Sequence, residues 1–512
     1  MEKKTQDLER IPKEKFEFAQ LDEAIHDKKF DTKTRGFFAD AMIRFRKNQS
    51  SVIAAYIIAL LVLYAIIVPI IAPIKMDNKD KVFINTPPFI RAIAEKGWGI
   101  FDGAVVHESQ NETQMNYWRG IGIETGYDPV VEILGTSETV SRYRGKDKIS
   151  YFYKMSTNRY YDTGVVYRVF SYNEFQNIQD WQNETGIQVI YPYVEPESIN
   201  GINDNPNIWY EVDSKGAAQL DKDGNFVPVY STNAAIEGAP YNSIRIAGDD
   251  GSYIYSVRKS GSVQARVCYY NYYTYVNGYE PMYILGTNSM GEDLFCAIGV
   301  GARFSLIFAI LVSAINLTIG AIYGAIQGYY GGAVDMVLDR FADLCSGIPM
   351  IVVTVLFQLH LAAKVGTIGA FLFAFVMTGW IGMSALVRKQ FYRFKSQEFV
   401  YAARTLGASD KRLMFKHIFP NAIGTIITSC ALVIPSVILS ETTMTYLGIV
   451  NISDFAGSSI GTLLSKAQSA MTTSPHAMLY PSIYFALLLI CFNLFGNGLR
   501  DAFNPTTRGV ED

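Results

Sequence analysis

Six apolar segments, each about twenty residues long, constrain the fold of this chain more than any other feature of its sequence. The first, residues 52–74, contains no Asp, Glu, Lys, Arg or His. A helix needs about 20 apolar residues to cross the hydrocarbon of a bilayer. We expect residues 52–74 to form an uncleaved first transmembrane helix, because the segment begins too late and runs too long for a signal peptide.

The other five segments lie in the second half of the chain. They are residues 304–327, 344–363, 365–387, 421–440 and 477–495. Only Lys364 separates the third span of the series from the fourth, which predicts a tight hairpin between them. The composition agrees with a membrane protein, since 49% of the residues are hydrophobic and 18% are charged.

Basic residues indicate how the spans are oriented. Arg44, Arg46 and Lys47 precede the first span, and a second basic group lies between the fourth and fifth spans. This second group comprises Arg388, Lys389, Arg393, Lys395, Arg404, Lys411, Arg412 and Lys416. Short cytoplasmic loops carry an excess of Lys and Arg, so we expect both regions to be cytoplasmic. In a plasma or inner membrane, residues 1–51 and 506–512 are then cytoplasmic and residues 75–284 lie outside.

The stretch between the first and second spans is polar. It contains turn signals such as Asp223-Gly, and the runs 165–170, 187–191 and 252–257 are rich in β-branched and aromatic residues. About 200 residues are enough to bury a separate core. The expected fold is an all-α polytopic membrane domain of six transmembrane helices, five of them within 285–505, with an inserted, mostly β extracytoplasmic domain.

One segment between the fourth and fifth spans has a distinct pattern. The positions i, i+3, i+4 and i+7 of a short helix are occupied by Phe399, Ala402, Ala403 and Leu406. This spacing gives the helix a narrow apolar stripe. Gly407 can end the helix in a left-handed conformation, and Pro420 restricts the helix that follows. The pattern predicts a helix–Gly–helix elbow, and an amphipathic loop lying on anionic lipid is the alternative.

The residues of this elbow resemble a known family. The run Tyr401-Ala-Ala-Arg-Thr-Leu-Gly407, followed by His417-Ile-Phe-Pro420, is similar to the "EAA" coupling loop of bacterial ABC-importer permeases. Further runs look like the second, C-type permease subunit of dipeptide and oligopeptide importers; they lie at 285–295, 301–306, 328–335, 340–349, 441–448 and 492–505. The resemblance covers residues 37–74 and 285–505.

The chain departs from the family pattern in two regions that matter here. Tyr401 stands where the family usually has Glu, and Asn288 and Glu292 replace Asp and Arg. The insertion has no counterpart in the usual family member. For its role, docking of a substrate-binding protein and service as a structural spacer both remain open.

The resemblance implies a transport subunit that is not itself an enzyme and needs no cofactor. Its ATPase-coupling loop would be 388–420, with the contacts made by Phe399, Ala402, Ala403, Arg404, Leu406, Gly407 and Pro420. The implied partners are a homologous permease subunit, two ATP-binding subunits, an extracellular substrate-binding protein, membrane lipid and a peptide substrate. Arg388 lies outside the apolar stripe and is expected to matter less for coupling.

Other classes of function find little support in the residues. The chain lacks a Gly-x-x-x-x-Gly-Lys-Ser/Thr sequence, so ATP would bind to a separate subunit. Its five histidines are scattered without metal-ligand spacing, and a net charge of -3 provides no basic surface for nucleic acid. A membrane-anchored receptor would need only one span. An ion channel or secondary transporter would be expected to show internal repeats.

Two ionisable residues near the ends of spans, His360 and Glu441, are candidates for lining a pathway. Ionisable groups are costly in lipid and tend to face a cavity or the interior of a helix bundle. Close to the membrane surface, an ionisable side chain costs little free energy. Either residue could therefore lie there without lining a pathway. Both interpretations depend on where the side chains point.

Overall fold

The computed structural model describes residues 37–503 apart from 112–113, 116–117, 119–120, 123–124, 144–145, 191–192, 195–221, 224–243, 248–252, 255–261 and 453–457. The expected N-terminal segment therefore lies largely outside the described residues, and the expected tail 506–512 lies wholly outside them. The described chain forms a bundle of long apolar helices and a strand-containing insertion between the first two of them.

The helices, in chain order, are α1 (Phe37–Lys47), α2 (Gln49–Ile71), α3 (Arg91–Ala94), α4 (Tyr172–Thr185), α5 (Tyr269–Asn277), α6 (Leu294–Tyr330), α7 (Gly332–Ser346), α8 (Met350–His360), α9 (Ala362–Val365), α10 (Thr367–Phe394), α11 (Glu398–Thr405), α12 (Asp410–Arg412), α13 (Phe419–Tyr446), α14 (Ile460–Ala467) and α15 (His476–Phe503). The strands are β1 (Ala104–Asn111), β2 (Val130–Tyr143), β3 (Lys146–Asn158), β4 (Val165–Ser171), β5 (Tyr193–Val194), β6 (Ile244–Ala247), β7 (Tyr253–Ile254) and β8 (Ser262–Cys268).

Five helices in the described part of the chain are long and apolar enough to cross a membrane. They are α2, α6, α10, the continuous helix Asp410–Tyr446 and α15. Each overlaps one predicted span, although the helices extend further than hydropathy alone indicates. Helix α6 begins at Leu294 rather than at 304, because the Asp293 side chain accepts hydrogen bonds from the N–H groups of Phe295 and Cys296 and caps it there.

The third predicted span, residues 344–363, is not a single helix. Helix α7 ends at Ser346, α8 begins at Met350, and the two are bent by 74°. Pro349 stands at the break as the N-cap of α8. Proline lacks an N–H group and disfavours helical geometry in the residue before it, so the helix cannot run straight through Ile348. Hydropathy identified an apolar segment correctly here but not its shape.

The packing of α6 against α10 shows what the bent pair does. Phe308, in the first half of α6, stacks on Phe371 near the start of α10, and Gly328 lies against Arg388 near the end of both helices. The two helices are therefore parallel. The chain must return from the end of α6 to the start of α10, and α7 with α8 makes that return crossing. Counted in this way, the described chain crosses the bundle six times.

Three glycines on α6 allow the parallel helices to come close. Gly320, Gly324 and Gly328 follow one another at intervals of four residues. A Cβ atom on Gly324 would lie 2.2 Å from the backbone oxygen of Ser384, and one on Gly320 would lie 2.7 Å from that of Trp380. Small residues at this spacing are typical of helix contacts in membranes, where close van der Waals packing replaces the hydrophobic effect.

The insertion mixes strands with helices in its described part. Strands β1, β3 and β2 form an antiparallel sheet in that order, β4 pairs with β8, and β5, β6 and β7 form a small third sheet. The predicted run 165–170 lies within β4. The run 187–191 provides only an isolated bridge from Ile190 to Val267, and only Tyr253–Ile254 of the run 252–257 is described.

Aromatic side chains form the core of the insertion next to the bundle. Phe83, Tyr160 and Tyr283 are almost fully buried together with Tyr269 and other tyrosines. The Tyr269 hydroxyl lies 2.8 Å from both carboxylate oxygens of Asp80. Burial and this neighbouring carboxylate raise the pKa of Tyr269, so its hydroxyl remains a proton donor to Asp80.

Backbone hydrogen bonds join the start of the insertion to the loop before α6. The N–H of Asn85 donates to the oxygen of Asn288 at 3.0 Å, and the N–H of Thr287 donates to the oxygen of Thr86 at 2.9 Å. Gly291 lets the two segments approach closely. A Cβ atom on Gly291 would lie 1.9 Å from the backbone oxygen of Asp80, and the φ of Gly291 is +73°. The insertion is thus anchored at the end of the bundle where α6 begins.

Two of the departures from the family pattern meet at this anchor. The Asn288 Nδ2 donates to Glu292 Oε2 at 2.7 Å, and Lys79 Nζ lies 3.1 Å from Glu292 Oε1. Glu292 is buried, so its charge needs these partners. Lys79, which follows the first span, therefore supplies the positive charge beside the buried Glu292.

Candidate functional site

The elbow predicted from the sequence is present as helix α11, a turn at Gly407, and the helix that begins at Asp410. Helix α11 is held by one completely buried residue, Val400. Val400 belongs to an apolar cluster with Phe391 from the end of α10 and Leu413 and Ile418 from the second arm. The two arms of the elbow therefore share a core, and the first arm does not lie free on a surface.

The apolar stripe divides between the two sides of α11. Phe399 is 41% exposed, Leu406 is 88% exposed, and Ala402 is exposed between them. Ala403 is only partly exposed and packs against the cluster around Val400. Three of the four stripe residues thus form an apolar surface open to solvent in this chain, which we call the outer face: Phe399, Ala402 and Leu406.

Gly407 turns the chain between the two arms. Its φ is +82°, as the sequence predicted, and no heavy atom lies within 4 Å of where its Cβ would be. The N–H of Gly407 donates to the oxygen of Arg404, and that of Ala408 donates to the oxygen of Ala403. The second bond is the 6→1 bond of a Schellman motif, which satisfies a free carbonyl at the end of α11.

A tyrosine at the end of α6 connects to both arms of the elbow. The Tyr329 hydroxyl donates a hydrogen bond to a carboxylate oxygen of Asp410, the first residue of the second arm. Arg404 Nη2 in turn donates to the Tyr329 hydroxyl at 3.3 Å. These two hydrogen bonds join both arms of the elbow directly to the end of α6.

Pro420 lies inside a continuous helix. The preceding segment, Leu413–Ile418, is π-helical, and the N–H of Phe419 donates to the oxygen of Met414. A π turn has one residue more than an α turn and often stands where a proline interrupts regular bonding. The second arm of the elbow therefore continues without a break into α13.

Charged residues on α10 and α7 form a second connection near the elbow. Arg388 lies 2.6 Å from carboxylate oxygens of both Asp335 and Asp339. The Tyr392 hydroxyl also donates to Asp335 at 2.6 Å, and Lys395 Nζ donates to the oxygen of Gly328 at 3.0 Å. The sequence analysis used Arg388 and Lys395 to orient the spans and did not predict these contacts, although the i, i+4 spacing of the two aspartates was a visible signal.

A cavity of about 270 Å³ lies between the spans. Its lining residues come from α6, α8, α10 and α13. They are Ser313, Asn316, Leu317, Met350, Phe375, Gly379, Gly382, Met383, Leu386, Ser429, Val433, Ser436, Val437 and Ser440. Its walls thus combine apolar side chains with hydroxyl and amide groups, and the sequence analysis identified none of these residues.

The two predicted pathway residues lie elsewhere, and neither is among the described residues that line this cavity. Glu441 is completely buried, and its carboxylate accepts hydrogen bonds from Ser305 at 2.7 Å and from Thr442 and Thr445 at 3.3 Å. His360 is exposed at the end of α8, with Nδ1 3.0 Å from the oxygen of Leu356.

The spans and the loop between α10 and α13 match known families. Residues 300–509 match the family described as binding-protein-dependent transport system inner membrane component. Residues 36–88 match the N-terminal TM domain of oligopeptide transport permease C. The chain belongs to the family of the OppC and DppC transport system permease proteins, because its similarity to them covers more than two thirds of their length.

Three relatives illustrate this similarity. The oligopeptide transport system permease protein OppC of Bacillus subtilis (strain 168) is 37% identical over 223 residues, 44% of this chain and 72% of that protein. The dipeptide transport system permease protein DppC of the same organism is 33% identical over 224 residues, 44% and 68% respectively. The OppC protein of Escherichia coli (strain K12) is 33% identical over 229 residues, 45% and 74% respectively.

Solved structures provide a weaker comparison. An inward-facing conformation of the MetNI methionine ABC transporter is 12% identical with a TM-score of 0.34, and the match covers 41% of this chain and 96% of that one.

Proposed function

We propose that this chain is the permease subunit of an ATP-driven peptide importer and that the outer face of α11 docks into a cleft on an ATP-binding subunit. The carrying observation is the exposure of Leu406, 88%, on a helix that Val400 and Arg404 otherwise hold in place. An apolar side chain left in water on a fixed helix is stabilised when a partner covers it. The peptide substrate follows from the names of the relatives.

Orientation and partners form part of the same proposal. The elbow, α1 and both chain ends are cytoplasmic, in agreement with the basic residues around them. The insertion then lies outside, where a substrate-binding protein would approach, and a homologous permease completes the pathway. Each of two ATP-binding subunits would bind one permease. Closure of the ATP-binding subunits would change the conformation of this chain only if those subunits bind two conformations of the chain with different affinity.

The hydrogen bonds from α11 to Tyr329 provide a route by which a displacement of α11 would reach α6. A force on the outer face is passed to Arg404, then to the Tyr329 hydroxyl at the end of α6 and to Asp410 on the second arm. Helix α6 also lines the cavity between the spans. Helix α6 therefore contacts the elbow at its last turn and lines the cavity near its middle.

Recovery of the ATP-binding subunits with a tagged permease tests this proposal. Leu406→Asp should reduce that recovery by about tenfold or more, because a charge would be buried without a partner at the contact. The matched control is Leu447→Asp. Leu447 is also a leucine at a helix C-cap, is 57% exposed and precedes a glycine of positive φ, Gly448. It lies at the opposite end of the same helix from the elbow.

The two variants should separate clearly. Both should reach the membrane in amounts close to wild type, since both side chains are exposed. Leu447→Asp should retain the ATP-binding subunits, whereas Leu406→Asp should lose them along with peptide uptake. Wild-type recovery and uptake with Leu406→Asp would show that the outer face is not the docking surface.

A further inference from the structure

Two buried oxygen atoms in the cavity have no hydrogen-bond partner among the described residues. They are Ser313 Oγ and Asn316 Oδ1, on side chains that line the cavity from α6. Ser313 is 7% exposed and Asn316 is 3% exposed. Buried polar groups are nearly always paired in folded proteins, and those inside a membrane are especially costly. These two atoms indicate that something polar occupies the cavity in the working protein.

The other polar groups of the cavity restrict what the occupant can be. The hydroxyls of Ser429 and Ser436 donate to backbone oxygens of their own helix, Thr425 at 2.9 Å and Val433 at 2.7 Å. Their remaining lone pairs can only accept. None of the described residues around the cavity is ionisable. The site therefore favours an uncharged occupant that supplies hydrogen-bond donors, to which the Ser313 hydroxyl can also donate.

We infer that this cavity binds the main chain of the transported peptide, with its N–H groups donating to Asn316 and Ser313. The inference rests on the proposed function. Ser313 and Asn316 are three positions apart on α6, which places their Cβ atoms about 5–6 Å apart, and alternate residues of an extended peptide are about 7 Å apart. The apolar walls contact the side chains of the peptide without selecting among them. Recognition of the backbone alone suits a transporter that accepts many sequences.

A glycine on the facing helix keeps Asn316 in place. A Cβ atom on Gly379 would lie 2.2 Å from Asn316 Nδ2. Any side chain at this position must push the amide away, so Gly379 allows Asn316 to lie at the cavity wall. Gly379→Ala should therefore affect peptide recognition in the same direction as removal of the amide itself.

The test measures uptake by cells that contain the complete transporter. The substrates are tri-alanine and the same peptide N-methylated at the amide nitrogen of its second residue, which removes one N–H donor. Wild type should favour tri-alanine over the methylated peptide. Asn316→Leu should reduce this preference by about tenfold, the effect of one buried hydrogen bond. The substrate-binding protein is the same in both cases, so the change in preference belongs to the permease.

Asn493→Leu is the matched control. Asn493 also lies on a span, is exposed, and donates to the oxygen of its own helix at Leu489. It should keep the wild-type preference. Ser313→Ala, a smaller change, provides the decisive measurement if Asn316→Leu does not reach the membrane.

The outcomes distinguish the site from the proposed function. If wild type imports no tri-alanine, the proposed function fails. If wild type imports tri-alanine and Asn316→Leu retains the full preference for it, only this site is refuted. Loss of the homologous permease from Asn316→Leu complexes would also refute the site, because the unpaired oxygens would then belong to a subunit interface.

Discussion

The guanidinium of Arg388 lies 2.6 Å from Oδ2 of Asp335, although the two residues are 53 positions apart in the chain. The contact joins the end of α10 to the start of α7, and a second carboxylate, that of Asp339, completes it. This connection lies beside the elbow and crosses the point where the chain leaves α6. It ties α7 to the parallel pair formed by α6 and α10.

Removal of this guanidinium should destabilise the chain. Arg388→Ala leaves Asp335 largely buried, with the Tyr392 hydroxyl as a remaining hydrogen-bond donor and Lys395 as a neighbouring cation. We expect a loss of roughly 2–3 kcal/mol, because charge-assisted hydrogen bonds are strong and part of this pair is exposed. Thermal unfolding of the purified permease in detergent would measure it. Arg388→Lys should recover only part of the loss, since an ammonium cannot span both carboxylates as a planar fork does. Unchanged unfolding for Arg388→Ala would contradict this role.

The close contact between α6 and α10 depends on the glycines of α6. Gly324→Ala should cost about 1–3 kcal/mol or more, because the new methyl group meets backbone atoms that cannot rotate away. Gly382→Ala is the control on α10, since a Cβ there meets nothing within 4 Å. The amount of folded permease after mild heating in detergent should fall for the first variant only. Equal yields would mean that the helices can separate without penalty.

Backbone strain at Gly407 leads to a graded prediction. Gly407→Val places a β-branched side chain at a φ of +82° and should cost about 1–3 kcal/mol locally, whereas Asn tolerates this region better. Because the space around Gly407 is open, the difference between the Asn and Val variants measures backbone strain and not a steric clash. ATP-binding subunit recovery should fall in the order Gly, Asn, Val. An order in which Asn is as damaging as Val would indicate a direct contact by the side chain.

The carboxyl group of Glu441 should matter for stability more than for transport selectivity. Glu441→Ala leaves the hydroxyls of Ser305 and Thr442 without their acceptor and opens a small cavity, at a cost of roughly 3 kcal/mol. Glu441→Gln keeps one acceptor oxygen and should lose about 1 kcal/mol. Membrane abundance and thermal unfolding would separate the two. If Glu441→Ala is stable but changes which peptides enter, a pathway role would be restored.

The orientation of the chain can be tested with single cysteines in a background without the native five. Asn183 on α4 and Ser409 in the elbow are both exposed. In intact cells, a membrane-impermeant maleimide should label Asn183→Cys, whereas Ser409→Cys should react only after permeabilisation. Labelling of Ser409→Cys in intact cells would place the elbow outside and remove the basis for an ATP-binding partner there.

Properties that depend on neighbouring residues in the chain could be predicted from the sequence. The apolar spans, the helix-Gly-helix elbow and the left-handed conformation of Gly407 all follow from hydropathy, periodicity and the steric freedom of glycine. The shape of the third span could not be obtained in the same way. A sum of hydropathies over 344–363 ignores the position of Pro349, at which the helix breaks.

Properties that depend on which surfaces meet were decided by the tertiary structure. Periodicity placed Phe399, Ala403 and Leu406 on one stripe, yet only packing determined that Ala403 turns toward the core while Leu406 stays exposed. Val400, the residue after Phe399, anchors the helix because the second arm of the elbow covers the face on which Val400 lies. The cavity around Asn316 and the contact between Arg388 and Asp335 join residues far apart in the chain. No local pattern specifies such pairs, since their energy exists only after the helices have packed.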